Sequence, residues 1–277
     1  MKVSVIISTY NNPAWLEKVL WGYESQTHKD FELIIADDGS GEPTRGLIEK
    51  FKTESCLELI HVWHPDDGFQ KSAILNKAIQ ASTTDYLVFS DGDCIPRSDF
   101  LQVHVKNAEK GFFLSGGYFM LPMDTSQAIT REDIINGNAF NVGWLVDHGL
   151  KKTYKTLKLT SSGWQERLLN YFTPTKPTWN GHGSSGWRSD IVAVNGFNED
   201  MKYGGQDREL GERLVNFGIK GKQIRYSAIV VHLDHKRGYN TAESIARNKK
   251  IRNETRSKRK VWTAFGIVKS QNPVKYS

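Results

Sequence analysis

Two carboxylates separated by one glycine, Asp91-Gly92-Asp93, directly follow a short apolar stretch in "YLVFSDGDCIP". On an extended strand, residues i and i+2 point to the same face, so these like charges repel unless a proton or a cation lies between them. A hard divalent metal takes oxygen ligands and is usually held by one or two carboxylates together with substrate phosphates. The pattern therefore indicates a metal-phosphate site. Its alternative is an ordinary turn, because turns also prefer Asp and Gly.

Strand-like and helix-like segments alternate through the first third of the chain. Apolar runs predict strands at 3–8, 31–36, 57–63 and 86–90, and helical spacing predicts helices at 13–26, 42–51 and 70–82. Strict alternation of this kind predicts a parallel sheet that is covered by helices on both faces. We therefore expect an α/β fold with a mostly parallel central sheet and an elaborated second half.

Polar residues follow each predicted strand. They are Ser8-Thr9-Tyr10-Asn11, Asp37-Asp38-Gly39-Ser40, Asp66-Asp67-Gly68 and Asp91-Gly92-Asp93. Ligands of open α/β sheets bind beyond the carboxyl ends of the strands, so these residues are expected to form one site. A dinucleotide-binding fold is not indicated, because the turn after the first strand reads "STYNNPAW" and lacks G-x-G-x-x-G.

Composition places the chain among globular, cytoplasmic proteins. With 277 residues, 38% of them hydrophobic, it is long enough for one large core. Cys56 and Cys94 are the only cysteines, too few for a disulfide framework and without metal-ligand spacing. The N-terminal apolar run is too short for a signal peptide, and no run approaches the ~18 apolar residues of a membrane helix.

The net charge of +6 suits an anionic partner. The excess is concentrated between Lys236 and Lys260, and the apolar residues Val261, Trp262, Phe265, Ile267 and Val268 follow it. A basic, partly helical tail with aromatic residues predicts a peripheral contact with an anionic membrane, here the inner face of the cytoplasmic membrane. The alternative is a solvated helix that docks on its own domain.

Several motifs of the chain resemble those of a known enzyme family. "VSVIISTYNN", "SQTHKDFELIIADDGS", "GFQKSAILNKAIQAS" and "DYLVFSDGDCIP" resemble the nucleotide-sugar half of inverting family-two glycosyltransferases with the GT-A fold. "NGHGSSGWRSDIVAVNGFNEDMKYGGQDRELGERLVNFG" resembles the acceptor half of the chondroitin-polymerase and β-1,4-galactosyltransferase group. The resemblance implies a nucleotide-sugar half at 1–121, an acceptor-binding and catalytic half of the same domain at 122–240, and a basic tail at 241–277.

The resemblance implies a role for each motif residue. It assigns nucleotide binding to Ser8, Thr9, Tyr10, Asp37, Asp38, Lys71, Asp91 and Gly92. It assigns a Mn²⁺ or Mg²⁺ ion to Asp93 and Asp91 together with His232 and His235. The residues assigned to the nucleotide are chemically suited to it, since a carboxylate can accept a hydrogen bond from the imide N–H of uracil and an aromatic ring can stack on the base.

The segment "YGGQDRELGERL" is expected to supply the catalytic base. In the resemblance Asp207 is the general base, and Tyr203, Gly205 and Gln206 bind the acceptor, although Gln206 stands where the family usually has Glu. Gly204 and Gly205 allow a tight turn before a helix that begins at Gln206. The alternative is that Asp207 only stabilises the start of that helix, where the dipole favours a carboxylate.

The implied activity is metal-dependent, inverting transfer of a hexose-type sugar from a UDP-sugar to a glycan or lipid-linked saccharide during synthesis of a bacterial surface polysaccharide or lipooligosaccharide. One alternative is a metal-dependent nucleotidyl- or phosphotransferase that shares the sheet-edge carboxylates. Another is a non-catalytic nucleic-acid or glycan-binding protein, although the tail carries no ordered nucleic-acid motif. The insertion at 122–179 has the composition of a lid or binding loop, and residues 173–186 are expected to be mobile until the donor binds.

Overall fold

The computed structural model describes residues 1–235 and 241–269. Within those ranges the chain forms two sheets flanked by helices. The strands are β1 (Val3–Thr9), β2 (Phe31–Asp37), β3 (Leu59–Trp63), β4 (Tyr86–Asp91), β5 (Cys94–Pro96), β6 (Phe112–Ser115), β7 (Gly117–Met120), β8 (Ser184–Trp187), β9 (Lys220–Gln223) and β10 (Ile229–His232).

The helices are longest in the first third of the chain and at its C-terminal end. They are α1 (Pro13–Glu24), α2 (Glu42–Glu54), α3 (Lys71–Ala81), α4 (Phe100–Asn107), α5 (Met123–Ala128), α6 (Arg131–Ile135), α7 (Val142–Asp147), α8 (Leu157–Thr160), α9 (Trp164–Phe172), α10 (Arg188–Ala193), α11 (Gln206–Asn216) and α12 (Ala242–Ser257). Short 3₁₀ helices at Asn138–Phe140 and Tyr154–Thr156 lie among them. The expected elaboration of the second half therefore consists mainly of short helices.

The central sheet is mostly parallel, as predicted. Among the described residues its strand order is β3-β2-β1-β4-β8-β6-β9. Strands β1 to β4 run parallel, with Val5 of β1 aligned with Leu33 on one side and Val88 on the other. Strand β8 is antiparallel to both of its neighbours. The predicted strict alternation therefore holds for the first four strands, and the second half adds a strand of opposite direction.

Both faces of this sheet are covered by helices, which confirms the second part of the prediction. Val5 and Ile7 of β1 join a core with residues of α1 and α4, whereas Ile6 joins a separate core with residues of α3. This alternation follows from the two-residue period of a strand. Each fully buried aliphatic side chain contributes about 1.5–3 kcal/mol, so β1 is firmly fixed between the two layers.

The chain leaves the central sheet at Gly92 and enters a small sheet of order β5-β10-β7. Gly92 donates its backbone N–H to the carbonyl of Ser8 at 2.8 Å. A Cβ at position 92 would lie 3.0 Å from the Ser8 carbonyl oxygen and from Thr9 Oγ1. A glycine is therefore needed between Asp91 and Asp93, because the end of β1 approaches the backbone closely.

The insertion at 122–179 is packed in part and exposed in part. Trp179 is fully buried, with its ring 5.3 Å from Phe89 and 5.7 Å from Phe113. Trp164, in contrast, is 71% exposed. Whether residues 173–186 move when a donor binds stays a prediction.

The basic helix α12 docks on its own domain. Thr255 Oγ1 donates a hydrogen bond of 3.0 Å to Glu209 Oε1, and Arg252 pairs with Glu212 at 2.6 Å. Beyond the helix, Ile267 packs against the core on the α3 face, whereas Phe265 remains exposed. The alternative of a docked helix is thus observed for α12, and the membrane contact of the tail stays a prediction.

Parts of the predicted tail lie outside the described residues, namely 236–240 of the basic run and 270–277. Within the described ranges, no helix combines the length and apolar character needed to cross a membrane. The boundaries predicted at 121 and 240 also stay predictions.

Candidate active site

A cleft of about 1140 Å³ opens where β1 and β4 end. The residues to which the family resemblance assigned a role all line this cleft, with the exception of Asp37. Gly39, Ser40, Asp66 and Asp67, which also follow predicted strands, do not line it. The lining further includes Gly181, His182, Arg208 and Arg252, to which no individual role was assigned. The cleft therefore brings residues from the ends of β1 and β4 together with residues of the later motifs, and their roles stay predictions.

Asp91, at the end of β4, forms an ion pair inside the cleft. Its Oδ1 accepts hydrogen bonds from Lys71 Nζ at 2.6 Å and from Ser8 Oγ at 2.7 Å. Burial alone would raise the pKa of the Asp91 carboxyl, but Lys71, His182 and Ser8 together lower that pKa to about 2. Asp91 is therefore an ionised carboxylate held by the first residue of α3.

Asp93 lies beside two imidazoles that the small sheet supplies. Residue 232 aligns with Cys94 across the sheet, and Leu233 N–H donates to the Asp93 carbonyl at 2.8 Å. His235 Nε2 lies 2.9 Å from Asp93 Oδ2, and His232 Nε2 lies 3.7 Å from Oδ1. A proton on His232 Nδ1 completes a 2.8 Å hydrogen bond to the Leu233 carbonyl, which leaves Nε2 with a free lone pair.

Among the described residues, the donor atoms of Asp93, Cys94 and His232 lie within 4.8 Å of one another. Asp91 and His235, two of the predicted metal ligands, are outside this group. Burial, followed by the charges of Asp93 and Asp91, raises the pKa of the Cys94 thiol well above its usual value. A protonated thiol is a poor ligand, so the carboxylate and the imidazole are the suitable donors here.

The turn before α11 has the form that the sequence predicted. Gly204 and Gly205 adopt φ values of 111° and 94°, in the left-handed region that favours glycine, and α11 begins at Gln206. Asp207 is therefore in the first helical turn. The residue that precedes the helix, Gly205, has no side chain to cap it. An acid in the first turn also suits the helix dipole, so stabilisation of the helix start by Asp207 stays an alternative.

The carboxylate of Asp207 is positioned as a proton acceptor. Its Oδ1 is buried and has no hydrogen-bond partner among the described residues. A Cβ at Gly181 would lie 3.2 Å from Lys71 Nζ and 3.3 Å from both oxygens of Asp207, so the glycine keeps the space between them open. Burial raises the pKa of the Asp207 carboxyl, and the opposing effect of Lys71 is smaller. A carboxylate with a raised pKa and a free oxygen is suited to general-base chemistry.

Two residues predicted to bind the nucleoside face the cleft with fixed orientations. Tyr10 is 47% exposed and donates its hydroxyl to Asp66 Oδ2 at 2.8 Å, which leaves the ring accessible. Asp38 Oδ1 lies 2.8 Å from His64 Nε2, and Oδ2 accepts the Gln70 backbone N–H at 3.0 Å. Burial raises the pKa of the Asp38 carboxyl despite these partners.

Asp37 is the predicted site residue that the structure keeps out of the cleft. It is fully buried, and its carboxylate binds His61 Nε2 at 2.9 Å and the Ser40 backbone N–H at 2.8 Å. Burial acts to raise the pKa of the Asp37 carboxyl, but the hydrogen bonds from His61 and Ser40 together outweigh burial, so the pKa is lowered overall. In this conformation Asp37 fixes the loop after β2, and its predicted contact with the nucleotide stays a prediction.

The predicted acceptor-binding residues surround the Asp207 turn. The Tyr203 ring lies edge-on to Phe69, with ring centroids 5.8 Å apart. Gln206 is buried, and its Oε1 accepts the Gly204 N–H at 3.0 Å. Gln206, which stands where the family usually has Glu, therefore stabilises the turn. Gly205 is the residue immediately before the helix.

His182 is a cleft residue that was not predicted individually. Its ring lies 4.5 Å from the Tyr118 ring, and burial lowers the pKa of this imidazole to about 4. The signal available in the sequence was its position in "NGHGSS", inside a motif that resembles the acceptor half. Individual contacts of this kind depend on how β7 and the loop before β8 pack.

The glycine turn before Asp207 is also held by the C-terminal helix α12. Asn248 of α12 is fully buried, and its Nδ2 donates to the carbonyls of Lys202, Tyr203 and Gly204 at 2.8, 3.0 and 3.1 Å. Two of these carbonyls immediately precede the left-handed glycines, and the third belongs to the first of them, Gly204. We infer that Asn248 is a positioning residue that sets the conformation of the turn carrying Asp207.

Replacement Asn248→Ala is expected to lower kcat by about tenfold or more, because a misplacement of ~1 Å can cost a catalytic group as much as 100-fold. The KM for the donor substrate should not change. Thermal unfolding should also show a loss of roughly 1–3 kcal/mol from the unsatisfied carbonyls. Asn216→Ala is the matched control, because Asn216 donates to the carbonyls of Thr255 and Lys260 away from the cleft. Equal losses of kcat in the two variants would show that only general stability is involved.

A match to a known family identifies the class of protein, a glycosyltransferase. Residues 4–177 match the family described as Glycosyl transferase family 2. The chain therefore belongs to glycosyltransferase family 2, as its motifs indicated.

Named relatives include two polysaccharide synthases. The chain is 36% identical to hyaluronan synthase of Pasteurella multocida over 235 residues, which cover 80% of this chain and 24% of that protein. It is 25% identical to chondroitin synthase of Pasteurella multocida strain Pm70 over 240 residues, which cover 78% and 23%. The chain thus spans about a quarter of the length of these synthases.

Solved structures share the fold at low sequence identity. Mannosyltransferase PcManGT from Pyrobaculum calidifontis, in complex with GDP-Man and Mn²⁺, has a TM-score of 0.57 and 19% identity, over 92% of this chain and 61% of that one. TarS 1-349 of S. aureus, in complex with UDP-GlcNAc, has a TM-score of 0.55 and 16% identity, over 86% and 60%. These GT-A neighbours confirm the predicted fold, and a divalent metal is consistent with it.

Proposed function

We propose that this glycosyltransferase moves a hexose-type sugar (galactose, glucose, glucuronate or an N-acetyl relative) from a UDP-sugar to a hydroxyl of a glycan or a lipid-linked saccharide. The transfer is metal-dependent and inverts the anomeric centre. The acceptor belongs to a bacterial surface polysaccharide or lipooligosaccharide. Family membership, the two synthase relatives and the nucleotide sugars bound to the structural neighbours support this proposal.

One observation carries the proposal. The buried carboxylate of Asp207, with an oxygen that has no partner among the described residues, faces the same cleft as Asp91 and Asp93. Inversion requires a base that takes the acceptor proton on the face of the sugar opposite the departing nucleotide. Asp207 is the base we assign, and burial keeps its pKa above the usual value for a carboxyl.

The donor set fits a divalent metal of the Mn²⁺ or Mg²⁺ type. Asp93 and His232 are the first ligands, and His235 can join them because it already contacts Asp93. A carboxylate with an imidazole suits Mn²⁺ better than Ca²⁺. When bound, such an ion neutralises charge on the diphosphate of the leaving nucleotide.

The chain's own residues bind and orient the donor. Lys71 presents an ammonium that can meet a diphosphate oxygen in addition to Asp91. Tyr10 offers an accessible ring for stacking on the base. Ser8, Thr9 and Gly92 line the same cleft. The acceptor is expected on the side of Tyr203, where an aromatic face can pack on a sugar ring.

The direct test is a panel of UDP-sugars with Mn²⁺, with UDP release measured first without an acceptor and then with oligosaccharide acceptors. We expect UDP release from one donor and a β-linked product. Release of pyrophosphate would instead support a nucleotidyltransferase. Salt-sensitive binding of DNA or RNA, without turnover or metal dependence, would support a nucleic-acid-binding protein.

A further inference from the structure

Helix α9 is attached to the body of the protein by its polar side. Asn170 Oδ1 accepts the Tyr226 backbone N–H at 2.9 Å, and Asn170 Nδ2 donates to Ser227 Oγ at 2.9 Å. No residue of this helix is buried, although a surface helix of a globular protein normally directs its apolar stripe toward the core. The polar side of this helix therefore contacts the protein, which is the opposite of the usual orientation.

The apolar side of α9 faces solvent. Trp164, Leu168, Tyr171 and Phe172 are spaced i, i+4, i+7 and i+8, which places them on one face of the helix. They are 71%, 47%, 83% and 68% exposed. We call this surface the α9 face. Contiguous exposed apolar surface of this kind marks an interaction site in soluble proteins.

The helix that precedes the α9 face contacts the lining of the cleft. The preceding helix α8 contains Lys158, whose Nζ donates to the Tyr118 carbonyl at 3.0 Å, and Tyr118 lines the cleft. Tyr154 and Leu157, just before Lys158, are exposed as well. Any surface that covers these residues is thus held next to the active site.

The surroundings of the α9 face are strongly basic. Between 151 and 176 the cations are Lys151, Lys152, Lys155, Lys158, Arg167 and Lys176, against a single acid, Glu166. The acid is engaged locally, because Glu166 Oε1 accepts the Gly163 N–H at 2.9 Å. Burial, followed by the neighbouring cations Arg225 and Lys155, lowers the pKa of Lys158 to about 8. The segment that carries the exposed aromatic side chains therefore has six cations and one acid, and three of the neighbouring cations, Lys155, Lys158 and Arg225, lie close together.

We propose that the α9 face docks on a lipid bilayer with anionic headgroups, with the aromatic residues inserted at shallow depth and the lysines at the headgroups. An apolar face with Trp, Phe and Leu beside Lys and Arg is the composition of interfacial helices. A second copy of the chain is a poorer occupant, since a two-fold contact would bring two basic rims together. A protein partner is also less suited, because lysine is depleted at protein interfaces.

The test is co-sedimentation of the full chain with phosphatidylcholine vesicles, with and without 30% phosphatidylglycerol. We expect binding only to the anionic vesicles, weakened by salt. The triple variant Trp164→Gln, Leu168→Gln and Phe172→Gln should lose at least about tenfold in partitioning, because Gln keeps the helix propensity while removing the apolar face. Replacing Lys151, Lys152 and Lys155 by Gln should reduce the preference for anionic lipid by about fivefold per lysine.

The matched control is Phe265→Gln with Val268→Gln, two exposed apolar residues of the C-terminal segment, and this pair should bind like the parent. Loss of binding in the control alone would move the contact to the tail and overturn the proposal, as would unchanged binding of the triple variant. A dimer that the triple variant dissociates, with no vesicle binding by the parent, would identify self-association instead.

Vesicle binding requires neither donor nor acceptor, so it can fail independently of the proposed sugar transfer. Equal UDP affinity of the parent and the triple variant checks that the cleft is intact. The additional inference that the docked membrane presents a lipid-linked acceptor rests on the proposed function. It predicts that anionic vesicles raise turnover with a lipid-linked acceptor and leave UDP release with a soluble acceptor unchanged.

Discussion

Asp207→Asn is expected to reduce kcat by ~10²- to 10⁴-fold, the usual contribution of a general base. The Asn side chain has nearly the same size and cannot take the acceptor proton. Donor binding should be unaffected, because Lys71, Asp91 and Asp93 are unchanged. Folding should also be spared, since Asn stabilises the start of a helix about as well as Asp does. The measurement is kcat at saturating donor and acceptor, together with UDP affinity and melting temperature.

Asp190→Asn is the matched control for Asp207→Asn. Asp190 is likewise an acid in the first turn of a helix, α10, and is not part of the cleft lining. Its replacement should leave kcat unchanged. Near-normal kcat in Asp207→Asn would remove this residue from the mechanism, and a collapse of UDP affinity would move it to the donor side.

The first four strands could be predicted because each carries a local signal. Strand β2 is buried along its whole length, and apart from Glu32 its residues from Phe31 to Ala36 are apolar, which is typical of a central strand covered on both faces. The ends of the predicted elements were less accurate. Helix α2 continues to Glu54 rather than 51, and β3 begins at Leu59 rather than 57. Such ends depend on packing more than on local composition.

Strand β8 could not be predicted, because its four residues "SSGW" show no apolar alternation. Its place in the sheet depends on distant partners. Ser185 Oγ lies 2.8 Å from the Tyr86 hydroxyl and 2.7 Å from His104 Nδ1, both about eighty or more residues earlier in the chain. Long-range hydrogen bonds of this kind leave no periodic pattern in the sequence.

For the site, the sequence predicts which residues are present, but it does not predict which side chains pair with one another. Polar residues at strand ends predicted where the cleft lies, since parallel strands bring their ends together. The pairing of Asp91 with Lys71 and the burial of Asp37 against His61 could not be predicted, because both depend on side-chain geometry across elements. Asn248, in a basic helix, reads as a surface residue until the helix is seen to pack on the glycine turn.

Asp93→Ala is expected to abolish sugar transfer and metal-dependent UDP binding while the fold remains intact. A metal ion that neutralises a leaving diphosphate supplies on the order of several kcal/mol, and Asp93 is the carboxylate closest to the His232 and His235 imidazoles. Stability should change little, because removal of the Asp93 carboxylate breaks its contacts with the imidazoles but also removes its repulsion with Asp91. Calorimetric titration with UDP, with and without Mn²⁺, is the measurement.

Asp67→Ala is the matched control for Asp93→Ala, because Asp67 is an exposed acid after β3 that contacts Gln70 and does not line the cleft. Its UDP affinity should equal that of the parent with and without Mn²⁺. If Asp93→Ala also kept its affinity, Asp91-Gly92-Asp93 would be only the close turn that Gly92 allows beside Ser8. If instead affinity falls only when Mn²⁺ is present, the loss is specific to the metal, because the metal-independent contacts of Lys71 and Tyr10 remain in both proteins.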